Sequence, residues 1–554
     1  MEIDHAHFRQ QLLPILRSIS NACIVTFDLE MSGITTRPKF SAGDRSLNVG
    51  KLILQEQYEE MKSAAETYQV LQIGLTCVSK DQEKGFYLAQ PYNFNLSPLA
   101  ADGVELNLSR NFTFAASASG FLLKNGFDFG KVFKEGVTYL SRDEEINLLE
   151  DYKERANHNA KIPDMIVAPD AHDTLEFLRL ARKTVSGWVK EANPEFTFVN
   201  VASPSGPLNG YQRRLVHQLI RNEFPGLRTF ARNDGSFMQV EKLNLERELA
   251  YQKSRETAFL GKIARQTGMR WIFEALSGGD LSGIDPDWFC KGLGLKEINA
   301  VKEEFKEICE KLKNNKKRIL VGHNLFTDLG FLYKTFIGTL PTSVKHFQEE
   351  IHDLFPFVID TKYLATHGAK DMSPRSNLKE LLTPFRKVHT PLILLHQEHT
   401  SYGSEIGRDH EAGFDSWMTA ELFIKLAAKL YAEVKDTLDG SDSSGPEARE
   451  GFLNEHQESD GGVELKKVTS DEDLISFTDN QPPEWHAMEL AGPSTAVDEG
   501  AVKVPQWLPQ MTSSFWDIYV NKLRVNASEG GVCDLAERNE DRIVEDVRRK
   551  LGHL

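Results

Sequence analysis

Residues 23–34 read CIVTFDLEMSGI, an apolar, β-branched run ending in Asp28 and Glu30. In an extended strand, residues two apart point to the same face, so both carboxylates face one way. Like charges held together beside a buried strand repel, and burial sharpens the repulsion. Either the strand is running out into water or a cation sits between the acids. In VGHNLFTDLGFLY (321–333), Asp328 falls on the same helical stripe as Leu325, Leu329 and Leu332. A buried ionised acid is costly unless it is paired or bound to metal. The bland alternative is a helix-start Asp satisfied by backbone amides. GRDHEAGFDSWMTAELF (407–423) adds His410 and Asp415, separated by four residues at the start of an apolar-striped helix. A lone loop histidine means little by itself. Taken jointly, four acids and one histidine suit a two-metal phosphodiester hydrolase. Hard divalent cations take oxygen ligands. Two ions about 4 Å apart clamp a scissile phosphate, and a histidine titrating near neutrality can take the proton of the attacking water.

These residues need a scaffold. A short helix is expected over 5–20, with strands over 23–29, 68–79 and 85–96. Helical text follows over 120–136 and 143–158. Three neighbouring strands flanked by later helices predict a mixed α/β layer fold. Residues 165–245 read as a separate small unit with a helix over 173–192, a strand over 196–202 and a helix over 208–226 that Pro225–Gly226 ends. Helical text returns over 241–275 and 296–314. RILVGHN (318–324) reads as a buried core strand and FPFVIDTKYLA (355–365) as a strand turning into a helix. The i+4 run Phe414, Met418, Leu422, Leu426, Leu430 reads as a helix with an apolar stripe.

The chain has 554 residues, 40% of them hydrophobic, enough for two to four domains with large cores. Its net charge of −16 looks wrong for a nucleic-acid binder until it is mapped. Residues 431–500 hold 18 Asp and Glu against 4 Lys and Arg, so that stretch alone carries −14 and the rest is close to neutral. A basic groove elsewhere is therefore not excluded. Most of 435–505 is expected to be disordered or loosely attached. The aromatic-rich stretch over 504–526, with Phe515, Trp516 and Tyr519, is expected to dock back onto a folded domain. Five scattered cysteines with no CxxC argue against a disulfide framework and a thiolate zinc site, and favour a reducing compartment, nucleus or cytoplasm. KLKNNKKR (311–318) reads as a solvated loop before a strand or as an import signal. No secretory signal, internal repeat or membrane-length apolar run is visible, so no membrane partner is expected.

The order Asp-x-Glu, Asp, His-x4-Asp resembles the DEDDh exonucleases, which have a ribonuclease-H-like fold. FDLEMSGI, SASGFLLKNGFDFGKVFKEGVTYLSRDEE, LNGYQRRLVHQLI, VGHNLFTDLGFLY, VIDTKYLA and HEAGFDSWMTA together resemble the poly(A)-specific ribonuclease and CAF1-type family and its small-RNA-trimming relatives. The resemblance implies a fold, an activity and a site. It implies a ribonuclease-H-like exonuclease core over 1–162 and 246–432. A small RNA-binding module of the Arg-x-x-x-His type would occupy 163–245, an acidic linker 433–503 and a docking segment 504–554. Asp28, Glu30, Asp328 and Asp415 would bind two Mg²⁺, for which Mn²⁺ can substitute, with His410 as general base. Met31, Ile34, Phe121, Asn324 and Lys362 would contact RNA beside the acids, and Arg213 and His217, with Arg214 and Arg221 nearby, would do so in the inserted module. The substrate would be a single-stranded RNA 3′ end, shortened to 5′-mononucleotides, and the resemblance carries an expectation of a homodimer.

One departure from the family is visible. After residue 435 the chain is acidic and has no RNA-recognition strand motif, so cap binding and strong poly(A) preference are not implied. The trimming relatives also lack that domain and shorten small-RNA precursors bound to Argonaute-type proteins, which makes such a protein an expected partner. Deadenylase and trimmer therefore stand side by side, with a non-catalytic RNA-binding protein as the third reading.

Overall fold

The computed structural model describes residues 1–36, 53–101, 103–160, 163–191, 197–314, 318–368, 376–403, 410–440, 504–525 and 531–537. The expected acidic segment and the middle of KLKNNKKR (315–317) lie outside the described residues.

A mixed sheet runs through the centre. Its strands follow the order Glu2–Ile3, Phe86–Ser97, Val70–Asp81, Ile24–Met31, Ile319–Gly322, Val358–Asp360. The three long strands are antiparallel to one another. Ile319–Gly322 then joins Ile24–Met31 in parallel, and Val358–Asp360 joins it in parallel. Three antiparallel strands extended by parallel ones, with helices on both faces, are the ribonuclease-H-like arrangement. Ile393–Leu395 and Val137–Thr138 add short parallel pairings to Phe86–Ser97.

Alternation along Ile24–Met31 sorts its side chains between two cores. Val25, Phe27 and Leu29 enter the core shared with the helix His5–Asn21 and the helices around Phe273 and Phe331. Ile24 enters the other core, beneath the helix Ala412–Gly440, where Phe414, Met418, Leu422 and Leu426 are buried. Asp28 and Glu30 share the face of Ile24, so the pleat aims both acids toward that helix.

Several expected elements come out differently. The single helix expected over 120–136 is two, Ala116–Lys124 and Phe129–Lys134. Asn125–Gly126 breaks it: Gly126 takes φ +82°, Phe127 N donates back to Leu122 O, and Asp128 caps the second piece. The helical text over 241–275 begins inside a strand, Phe237–Lys242, and then divides into Leu245–Thr267 and Arg270–Ser277. At the break, Gly268 has φ +47°, and a Cβ there would come 1.9 Å from Thr138 O.

The inserted unit packs Phe177, Val185, Val216, Leu219 and Val240 into a core of its own. Its three-stranded sheet includes a hairpin, Leu227–Arg232 to Phe237–Lys242, turning through Asn233 and Asp234 at positive φ. Residues 504–525 lie on the second core, with Leu508, Phe515, Trp516 and Tyr519 buried in it.

Candidate active site

The site grows from the end of the strand Ile24–Met31. Its pairing with Val70–Asp81 shifts register between Glu30 and Met31, so the ladder breaks as soon as the carboxylates have been presented. Thr26 Oγ1, on the same face, donates to Ser416 O at 2.6 Å. That bond ties the strand to the first turn of the helix carrying Asp415.

The start of that helix is held by side chains from the neighbouring strands. Gln72 Oε1 accepts from Ala412 N at 2.9 Å, and Asn93 Oδ1 accepts from Gly413 N at 3.0 Å. These are two of the amides that a helix N-terminus leaves without internal partners. Ser416 Oγ donates to Gly413 O and meets Thr76 Oγ1 at 2.8 Å. The helix sits so close to the sheet that a Cβ on Gly74 would lie 1.8 Å from Ala412 O. Just before it, His410 adopts φ +63° and its ring meets Phe121 edge-on, centroids 4.6 Å apart. Glu30, His410 and Asp415 bring potential ligand atoms within 4.8 Å of one another.

Asp328 arrives from the other side, in the first turn of the helix Phe326–Phe336, and is 8% exposed. The turn before it depends on Asp360, which is fully buried. Asp360 Oδ1 accepts from Asn324 N at 2.8 Å and Lys362 N at 2.9 Å, and Oδ2 from Arg524 N at 2.9 Å. One carboxylate thus fixes Asn324 at φ +63°, caps the helix Thr361–Thr366 and receives the C-terminal segment. Beside it, Thr361 Oγ1 donates to Gly322 O at 3.0 Å and meets His323 Nδ1 at 2.9 Å. Burial pushes His323 down to about 3, so it stays neutral.

The electrostatics set this cluster apart. Burial, then Asp415, Asp328 and Glu30, push the Asp28 carboxyl well above its ordinary range. Burial, then Asp415 and Asp328, do the same to Glu30. Asp328 is raised by burial and by Asp360. Among the described residues, no Lys or Arg forms an ion pair with Asp28, Glu30 or Asp328. Asp360 is also raised by burial, but three backbone amides oppose the shift. The cluster therefore holds unneutralised oxygen donors where a folded chain gains nothing from them. That donor set fits hard divalent cations.

The remaining sequence-predicted residues fall in two places. Met31 is buried and Ile34 is 61% exposed past the end of the carboxylate strand. Phe121 is 47% exposed against His410. Asn324 and Lys362 both donate their backbone amides to Asp360. Arg213 and His217 belong instead to the helix Gly210–Glu223 of the inserted unit. Arg213 Nη1 donates to Asp234 O at 3.3 Å, and His217 Nδ1 bonds the Thr229 hydroxyl. With Arg214, Arg221 and Arg228 they line a cavity of about 790 Å³. Sequence reasoning missed Gln72, Gly74, Asn93 and Asp360. Asp360 sat in view in VIDTKYLA, where an Asp between an apolar strand and a helix is a helix-cap signal. The others act across the sheet and left no local sign.

Three curated relatives align over most of the chain. Uncharacterized protein C29A10.09c of Schizosaccharomyces pombe is 29% identical over 444 residues, covering 76% of this chain and 92% of that one. The pre-piRNA 3′-exonuclease trimmer of Bombyx mori is 26% identical over 434 residues, covering 77% and 71%. Poly(A)-specific ribonuclease PARN of Homo sapiens is 26% identical over 444 residues, 78% of this chain but only 62% of PARN. The family model of the CAF1 ribonucleases matches residues 3–423, most of the chain and every member of the acid and histidine cluster, and the protein belongs to the CAF1 ribonuclease family.

Proposed function

We propose that this chain is a divalent-metal-dependent 3′→5′ exoribonuclease that shortens single-stranded RNA and releases 5′-mononucleotides. The observation that carries it is the group of buried acids, raised by one another and unpaired with any cation, facing His410. Asp28, Glu30, Asp328 and Asp415 would hold two Mg²⁺, with Mn²⁺ able to substitute. When bound, the ions supply the positive charge that a scissile phosphate and its leaving oxygen require. His410 takes the proton of the attacking water. Phe121, packed edge-on against that imidazole, steadies the ring and offers its exposed face to the terminal base. Asn324 and Lys362, fixed through Asp360, border the path of the RNA backbone.

Two substrate classes fit this proposal. The similarity to a pre-piRNA trimmer and to poly(A)-specific ribonucleases supports each in turn. The deciding experiment compares shortening rates on A-tailed, U-tailed and mixed 3′ ends. A strong preference for A assigns deadenylation; equal rates assign trimming of small-RNA precursors, with an Argonaute-type partner. Asp28→Ala, which leaves RNA binding by the inserted unit in place, should abolish shortening on all three. Unchanged shortening in that variant overturns the enzyme altogether.

A further inference from the structure

The run KLKNNKKR ends in a residue that the proposed catalysis does not use. Arg318 is 7% exposed, and a guanidinium stays charged at any physiological pH. Nη2 donates to Ala275 O at 3.1 Å and more weakly to Leu312 O at 3.4 Å. Nε and Nη1 are buried and have no hydrogen-bond partner. No carboxylate pairs with Arg318 among the described residues. A buried charge left this way is a strong demand for an anion.

Arg318 lines a cavity of about 330 Å³ at the start of the strands Ile24–Met31 and Ile319–Gly322. Lys80 and Lys311 line it too, and none of its lining residues is acidic. Lys311 Nζ is oriented by Asn21 Oδ1 at 2.6 Å. Lys80 Nζ lies 5.7 Å from both the Tyr87 and the Trp507 rings. Leu508, Pro509, Gln510 and Met511 close one side. The catalytic acids lie toward the other end of the same strand, with Asp28 roughly 13 Å beyond Ile24.

We propose that this cavity binds a phosphate-bearing anion, either inorganic phosphate or the phosphate of a small nucleotide. Three cations converge there and one is a desolvated guanidinium with two donors to fill. The rigid fork of Arg318 suits a tetrahedral oxyanion, and the two lysines supply charge without fixing its orientation.

Thermal melts of the full chain in inorganic phosphate, against chloride at matched ionic strength, test the site. Phosphate should raise Tm by roughly 2–4 °C beyond chloride. Lys80→Met/Lys311→Met should lose that increment, whereas Arg213→Ala/Arg221→Ala, in the other basic cavity, should keep it. Arg318→Met should also lose it and, if folded, melt higher than wild type in phosphate-free buffer. A nucleoside 5′-monophosphate giving a larger shift than phosphate assigns a nucleotide; an equal shift assigns the bare anion. An increment that survives Lys80→Met/Lys311→Met, or vanishes in Arg213→Ala/Arg221→Ala, overturns the proposal. So does the absence of any phosphate-specific shift in wild type, including the case where Lys80→Met/Lys311→Met melts lower without phosphate because the chain's own carboxylates fill the site.

Discussion

Asp28 carries a direct conflict between stability and activity. Its carboxyl is raised in the fold, as are those of Glu30 and Asp328. A raised acid costs nothing below its unfolded value, near pH 4. The cost appears as pH rises above that value and grows until the folded pKa is passed, because the folded chain holds protons that the unfolded chain has released. In metal-free buffer, Asp28→Asn should therefore melt higher than wild type at pH 8, and the gap should close toward pH 4.5. A gap that does not change with pH would contradict this account. Mg²⁺ should raise the wild-type Tm more at pH 8 than at pH 5.5, because below neutrality the ion competes with protons for the same oxygens. On RNA, the same substitution should cost about 10³-fold or more in rate, since it removes charge compensation worth several kcal/mol. Phe121→Ala removes an exposed ring and no ligand, so its effect should be milder, about tenfold in kcat/KM, without a change in metal affinity.

At the scale of elements, the active site depends on how closely one helix approaches the sheet. Gly74→Ala would put a methyl into the Ala412 carbonyl, two backbone atoms that cannot give way separately. The helix start must lift, and Asp415 and His410 lift with it. Expected are a loss of activity of at least about tenfold and a raised Mg²⁺ requirement, measured by activity against metal concentration, while the fold survives by circular dichroism. An enzyme with a normal metal requirement would show that the contact is soft. The long strands and the Phe414 helix were legible because apolar periodicity fixes an element without reference to its neighbours. Asp28, Glu30 and Asp328 were legible because charge on an apolar face is a local anomaly. Gln72 and Asn93 look like ordinary polar residues in their own strands; they matter only because a helix more than 300 residues later ends on them. The hairpin over 227–242 was missed although Asn233–Asp234–Gly235 is a turn signal, because the residues after it also read as helix.

At the scale of the molecule, the chain closes on itself through its last described segment. Trp516, 1% exposed, and Phe515 and Tyr519 fill the second core beneath the helix Ala412–Gly440. Asn521 pairs with Val358 by accepting from its amide and donating its own to its carbonyl. Trp516→Ala should cost about 3–5 kcal/mol, read as a shifted denaturant midpoint with little change in slope. Deleting 445–498 should leave the melting temperature unchanged, because none of the contacts just named comes from that stretch. Ending the chain at 440 should lower it sharply. If the two deletions behave alike, the segment does not support the core.

The bond from Arg524 N to the Asp360 carboxylate spans 164 positions of sequence. During synthesis, every acid of the metal cluster has left the ribosome well before Arg524 is joined. A transcript cut short in that interval would encode a nuclease with all its ligands and an unfinished floor beneath Asn324. The catalytic centre is thus assembled late, and the protein carries within its own fold a check that translation reached the far side of its acidic stretch.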